Sequence, residues 1–252
     1  MPGPPAECDA MTPAFAYLQA RLQAHHGRRL DEDGWQHLER VNSYRLFLKN
    51  ARDTALAPWL QAIGEANDPW VVEQRLWEAL RLSVAQVTRW APPEWHPAIL
   101  WTIPLWQLPA WRHFWQGQPL PLGLLLADID ANADGIVALQ QAWRSGVPLL
   151  SAWLVYWRHL WPPQRGQQGD PLEQWIKIVQ DHVALFAALP DATAARTARL
   201  ALQQQLRGLF RRYSGQPAVL FVHLALMALD FERLRGNLVL RALYHSGPRE
   251  SV

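Results

Sequence analysis

The segment Pro217–Tyr244, PAVLFVHLALMALDFERLRGNLVLRALY, decides the fold, because it is the longest apolar-patterned stretch of the chain without an internal proline. From Ala218 to Leu229 it is apolar nearly all round, interrupted only by His223. A helix of that pattern has to be buried. The second half narrows to a stripe at Phe231, Leu234, Leu238, Val239 and Ala242, with Glu232, Arg233, Arg235 and Arg241 turned elsewhere. One end of this helix is therefore expected in a core and the other at a surface. Pro217 suits a helix start, and Gly247 with Pro248 closes the segment.

Around it, apolar residues recur at helical spacing, and no stretch alternates convincingly with the period of a strand. The fold class that follows is all-α, a multi-helix bundle of short and medium helices. Residues 14–26 place Phe15, Leu18 and Leu22 on one face; Asp31 and Ser43 are cap candidates for two short helices that bury Trp35, Leu38, Tyr44, Phe47 and Leu48. Thr54 is positioned to cap a fourth piece. Asp68-Pro69 and Asp170-Pro171 open two longer helices in the same manner, and Asp191 opens an alanine-, glutamine- and arginine-rich one. On the helix that starts at Pro69, Glu78 and Arg81 have the spacing of an ion pair. Residues 134–145 and 147–161 make two more short helices. The middle is different in kind. Prolines at 92, 93, 97, 104, 109, 119 and 121 break it repeatedly, while Trp95, Trp101, Trp106, Trp111 and Trp115 recur along it. It reads as short helical turns lined by indoles, serving as core filling or as a partner surface.

The expected organisation is a disordered leader at 1–13, an N-terminal helical lobe at 14–161, a polar loop at 162–169, and a C-terminal lobe at 170–247 packed on the first. At 252 residues, 50% hydrophobic and 18% charged, the chain can bury a sizeable core. Its apolar runs stay short of the roughly 18 residues of a membrane span, and the N-terminus lacks the basic and apolar regions of a secretory signal. A cytoplasmic protein is the expectation. Cys8 is the one cysteine, so neither an intrachain disulfide nor a cysteine metal cluster can form. A net charge of +2 is too small for a nucleic-acid binder. The 15 tryptophans and a basic set dominated by arginine fit interfaces, where both residue types concentrate energy.

Two sets of residues carry candidate chemistry. The string LLLADIDANADGIVALQQA has part of a calcium-loop spacing, with Asp130, Asn132 and Asp134 as ligands and Gly135 at the turn, but Gln141 stands where a bidentate carboxylate belongs. The simpler reading makes Asp134 the cap of the following helix. The chemical alternative is a small all-α metal-dependent enzyme or calcium-binding protein using Asp128, Asp130 and Asp134. His25 and His26 point about 100° apart on a helix and do not converge on a metal. There is no phosphate loop, no GxSxG elbow and no HExxH, so the expectation is a non-enzyme without a cofactor. The second set, Trp101, Trp106, Trp111 and Trp115 with Arg207, Arg211 and Arg212, is expected to contact a protein partner, with the arginines meeting an acidic surface.

Two stretches resemble the non-catalytic C or d subunit of archaeal-type and vacuolar-type rotary ATPases. Residues 17–60 resemble that family's opening at Arg21, Arg29, Leu30, Asp31, Trp35, Leu38, Leu46, Leu48, Thr54 and Trp59; residues 231–244 resemble its C-terminal step at Glu232, Arg235, Asn237, Leu238, Leu240 and Arg241. The chain is shorter than is usual there, and its tryptophan- and proline-rich middle departs from the pattern. The resemblance implies an all-helical adaptor without an active site that docks a soluble partner onto a membrane-associated complex. Its partners would be proteins such as the rotor and membrane-ring subunits of a rotary ATPase, with no nucleic acid. Attachment would be peripheral, on the inner membrane, through protein contacts.

Overall fold

In the computed structural model, residues 13–65, 68–119, 133–162 and 169–245 are described. Their regular structure is helical, with no strand among them. The helices are α1 (Pro13–Arg28), α2 (Glu32–Glu39), α3 (Tyr44–Arg52), α4 (Ala57–Leu60), α5 (Pro69–Trp90), α6 (His96–Leu100), α7 (Thr102–Trp115), α8 (Asp134–Arg144), α9 (Leu149–His159), α10 (Gly169–Ala187), α11 (Ala192–Arg212) and α12 (Ala218–His245), with a 3-10 turn at Pro93–Trp95. The all-α reading stands.

Capping chemistry sets many of the boundaries. Asp31, Ser43 and Asp191 occupy N-cap positions and accept from the amides of Gly34, Leu46 and Ala194. Asp68 accepts from the Trp70 amide ahead of α5. Thr54 does not cap α4, whose N-cap is Leu56; its hydroxyl instead donates to the Ala51 carbonyl and accepts from the Leu56 amide. On α5, Glu78 pairs with Arg75 at 3.1 Å, one turn before it. Helix α8 ends at a left-handed glycine: the Gly146 amide reaches the Trp143 carbonyl and the Val147 amide the Ala142 carbonyl, with φ of 78° at Gly146.

The chain forms two compact units that interleave along the sequence. One takes its described residues from Met1–Gly27, Trp90–Pro92 and Arg165–Leu229, the other from Arg28–Arg89, Pro93–Gln164 and Asp230–Val252. The expected division into lobes at 14–161 and 170–247 is therefore corrected at both ends. Most of α1 belongs with α10 and α11, and α12 gives its start to the first unit and the part from Asp230 onward to the second. Pairings between residues far apart in sequence decide this, and a local composition break at 162–169 cannot report them. The leader expected at 1–13 lies almost wholly outside the described residues.

In the first unit, Ala218–Val222, Leu224 and Leu226 of α12 are buried, as the all-round apolar pattern requires, together with Leu18, Leu22, Leu172, Trp175, Ile176, Leu206 and Phe210. Each such large side chain contributes about 1.5–3 kcal/mol of transfer free energy. Buried His223 has Phe210 and His25 as ring neighbours, and His26 stacks on Phe210 at 4.2 Å. His25 is exposed and His26 half-buried.

The second unit has an aromatic core. At the break between α6 and α7, indoles of α9 bond backbone carbonyls. Trp153 Nε1 donates to the Trp101 carbonyl at 2.9 Å, Trp101 Nε1 donates to the Trp153 carbonyl at 3.3 Å, and Trp157 Nε1 donates to the Ala98 carbonyl at 3.0 Å. Trp153 and Trp157 stack at 5.5 Å, and Trp161 meets Trp157 edge-on.

Candidate functional site

Two groups of arginines, one on α12 with Arg29 and one on α11, differ in their partners, while Arg28, Arg40, Arg89, Arg112 and Arg144 are exposed elsewhere. The first belongs to the second unit and is fully engaged. Arg233 of α12 forks between Glu32 (2.6 Å) and Glu39 (2.7 Å) of α2, with its guanidinium 4.9 Å above the Trp35 ring. Burial works against its charge, yet the hydrogen bonds it donates to Glu39 and Glu32, with their negative charge, outweigh burial and raise its pKa. Arg241 lies 4.3 Å over Phe47 and donates to the Val41 and Glu39 carbonyls. Asn237 donates to Glu39, Arg29 pairs with Asp230 at 2.6 Å, and Arg235 pairs with buried Glu73 at 2.7 Å. Burial pushes the Glu73 carboxyl above its ordinary value, although Arg235 pulls the other way.

Of the polar positions in the two family-like stretches, Arg29, Trp35, Arg235, Asn237 and Arg241 take part in these contacts. Their observable job is to fasten the end of α12 to α2, α3 and α5. Planar guanidinium forks suit that role.

The second group lies on α11 of the first unit. That helix carries Arg196, Arg199, Arg207, Arg211 and Arg212 and no carboxylate. Arg207 is half-buried and has an intramolecular partner. Arg211 and Arg212 are exposed in the last turn, where positive charge complements the helix dipole. Among the described residues no carboxylate pairs with Arg199, Arg211 or Arg212. Arg212 lies 6.0 Å from the Tyr213 ring, whose hydroxyl bonds Gln174. Arg199, 5.1 Å over Phe186, was not singled out by the sequence reading, although its spacing from Arg196 and Arg207 on one helix was the available signal.

The tryptophans divide differently from the expectation. Trp101 is 9% exposed and Trp111 2%, so neither indole can serve as a surface contact. Trp101 is spent on the α9 carbonyl exchange; Trp111 packs against Trp115 at 5.4 Å and Phe114 at 6.0 Å. Their recurrence along the chain reflects core filling. Trp106 and Trp115 are half-buried, and Trp106 neighbours Trp77. The exposed aromatic side chain on this helix is Phe114, 54% exposed. These tryptophans belong to the second unit and Arg207, Arg211 and Arg212 to the first.

Of the acidic candidates, Asp128, Asp130 and Asn132 lie outside the described residues. Asp134 is exposed and is the first residue of α8; the N-cap is Ala133, so the expected cap role is corrected to a first-turn charge. Gly135, read as the turn of a calcium loop, is buried within α8 against Trp101 and Tyr156. Among the described residues no group of three or more histidine, cysteine or carboxylate side chains is arranged for a metal. No described helix is long and apolar enough to cross a membrane. No known family, curated protein or solved structure matches the chain.

Proposed function

We propose that the chain is a non-catalytic helical adaptor that docks a soluble partner onto a membrane-associated complex in the cytoplasm, and that exposed Arg211 and Arg212, with Arg207 behind them, meet an acidic protein surface. The observation that supports this reading is the contrast between the arginines. Those of α12 and Arg29 are consumed by carboxylates and carbonyls, whereas Arg211 and Arg212 are exposed on α11 with no carboxylate partner among the described residues. Guanidinium groups held on a rigid helix give orientation and fast association with an acidic partner. The resemblance to the rotary-ATPase connecting subunit belongs to the same proposal, with rotor and ring subunits as the partners it implies.

The test is affinity capture of the tagged chain from gently solubilised native membranes, with the co-purifying chains identified by mass spectrometry. Recovery of rotor and ring subunits supports the connecting role. Recovery of another membrane complex keeps the adaptor and removes the ATPase, and a chain recovered alone removes docking.

A further inference from the structure

The exposed side of α12 in the second unit carries a row of residues that fits its own reverse. Glu232, Gly236, Leu240 and Tyr244 recur every fourth residue and are all exposed, so they line one face over about 18 Å of helix. Leu240 is 53% exposed and Tyr244 82%, and Leu243, 51% exposed, widens the apolar strip beside them. Phe231, Leu234, Leu238 and Ala242, on the other side of the helix, are buried in the core of the unit. Gly236 is the unexpected member of the row. Glycine is the poorest helix former after proline, and this one lies in the interior of α12. A Cβ added there would meet nothing within 4 Å, so no neighbour among the described residues requires its small size. What it permits is a close approach from outside.

We propose that this row is the contact surface of a weak homodimer, in which α12 of two copies packs antiparallel about a two-fold axis. Reversed about the midpoint between Gly236 and Leu240, the row sets Leu240 of each copy over Gly236 of the other and Tyr244 of each beside Glu232 of the other. Each contact then occurs twice, as an isologous interface requires. The leucine fills the space that the glycine leaves open, which lets the two helices come close. Each tyrosine hydroxyl donates to a Glu232 carboxylate, which within its own chain accepts from Arg235 at 3.3 Å and is about half exposed. Glu232, Leu240, Leu243 and Tyr244 offer about 500 Å² per copy and about 1,000 Å² in the pair, the range of a weak, reversible association. A foreign helix would have to bring a leucine, a gap and a hydroxyl at matching spacings, whereas a second copy carries all three in reverse order. A bilayer has no use for the gap at Gly236, and it would meet the Glu232 carboxylate. The inference does not rest on docking through α11, which belongs to the first unit.

The experiment is analytical ultracentrifugation of the purified full chain over a range of concentrations, with thermal unfolding measured where the chain is monomeric. The parent is expected to pass from monomer to dimer as concentration rises, with no larger species. Gly236→Leu sets leucine against leucine twice and weakens association at least about tenfold. Its monomer unfolds no earlier than the parent's, because the added side chain enters open space and favours the helix. Leu240→Gly leaves the gap unfilled and weakens association as well. Mixed in equal amounts, the two variants pair with each other, since every leucine then faces a glycine, and the dimer returns. Should Leu240→Gly fail to fold, Tyr244→Ala, which alters a side chain 82% exposed, weakens association in its place. A parent that is monomeric at every concentration, a dimer that Gly236→Leu leaves unchanged, or folded variants that do not recombine overturn the proposal. So does a monomeric parent whose captured protein is lost in Gly236→Leu, which assigns the row to a foreign partner.

Discussion

Gly135 shows how tightly the aromatic core constrains a single position. A Cβ built there would stand 2.4 Å from the Trp101 ring and 2.8 Å from the Tyr156 ring, distances that no side chain tolerates. Gly135→Ala must push two packed aromatic rings aside and is expected to cost about 2 kcal/mol, read as a lower urea midpoint at unchanged slope. Glu73 makes a prediction of a different sign. Its carboxyl is raised above the ordinary value of 4.5, first by burial and against the pull of Arg235. The native state therefore holds this proton more tightly than the unfolded chain does. Its contribution to stability is fully present below about pH 4.5 and is lost as pH rises through the folded value. Glu73→Gln removes that part of the slope, and urea titrations at stepped pH measure it. A Glu73→Gln profile that parallels the parent across this window contradicts the assignment.

At the scale of elements, periodicity and caps were legible because they are local. Asp31, Ser43 and Asp191 announce helix starts through side chains that reach an amide three residues on. The buried first half of α12 was legible for a similar reason, since a helix apolar on every face has no other stable place. What joins the elements was not. Arg233 finds Glu32 across 201 residues, and nothing in either local pattern pairs them. An indole is also ambiguous by nature: its large apolar area and single N–H suit a core or an interface equally, so the burial of Trp101 and Trp111 could not be read from their spacing. The α12 to α2 fork is testable as a unit. Arg233→Met leaves Glu32 and Glu39 facing each other without a cation and is expected to cost about 2 kcal/mol, while Glu32→Gln in that background recovers part of the loss. Stability measured across that cycle is non-additive if the fork is what fastens α12, and additive if it is not.

For the whole molecule, one residue type performs two tasks that composition cannot separate. The arginines of α12 are consumed in holding helices together, and exposed Arg211 and Arg212 of α11 are offered outward. Removing the first kind should damage the fold, and removing the second should leave it intact while abolishing association. The most direct measurement is therefore a paired one, thermal unfolding and affinity capture from solubilised membranes, made on the parent, on Arg211→Glu with Arg212→Glu, and on Arg233→Met. The expected result is a parental melting temperature with loss of the captured partner for the α11 variant, and a melting temperature lowered by several degrees for Arg233→Met. An α11 variant that unfolds early, or that captures the same partner as the parent, would contradict the account.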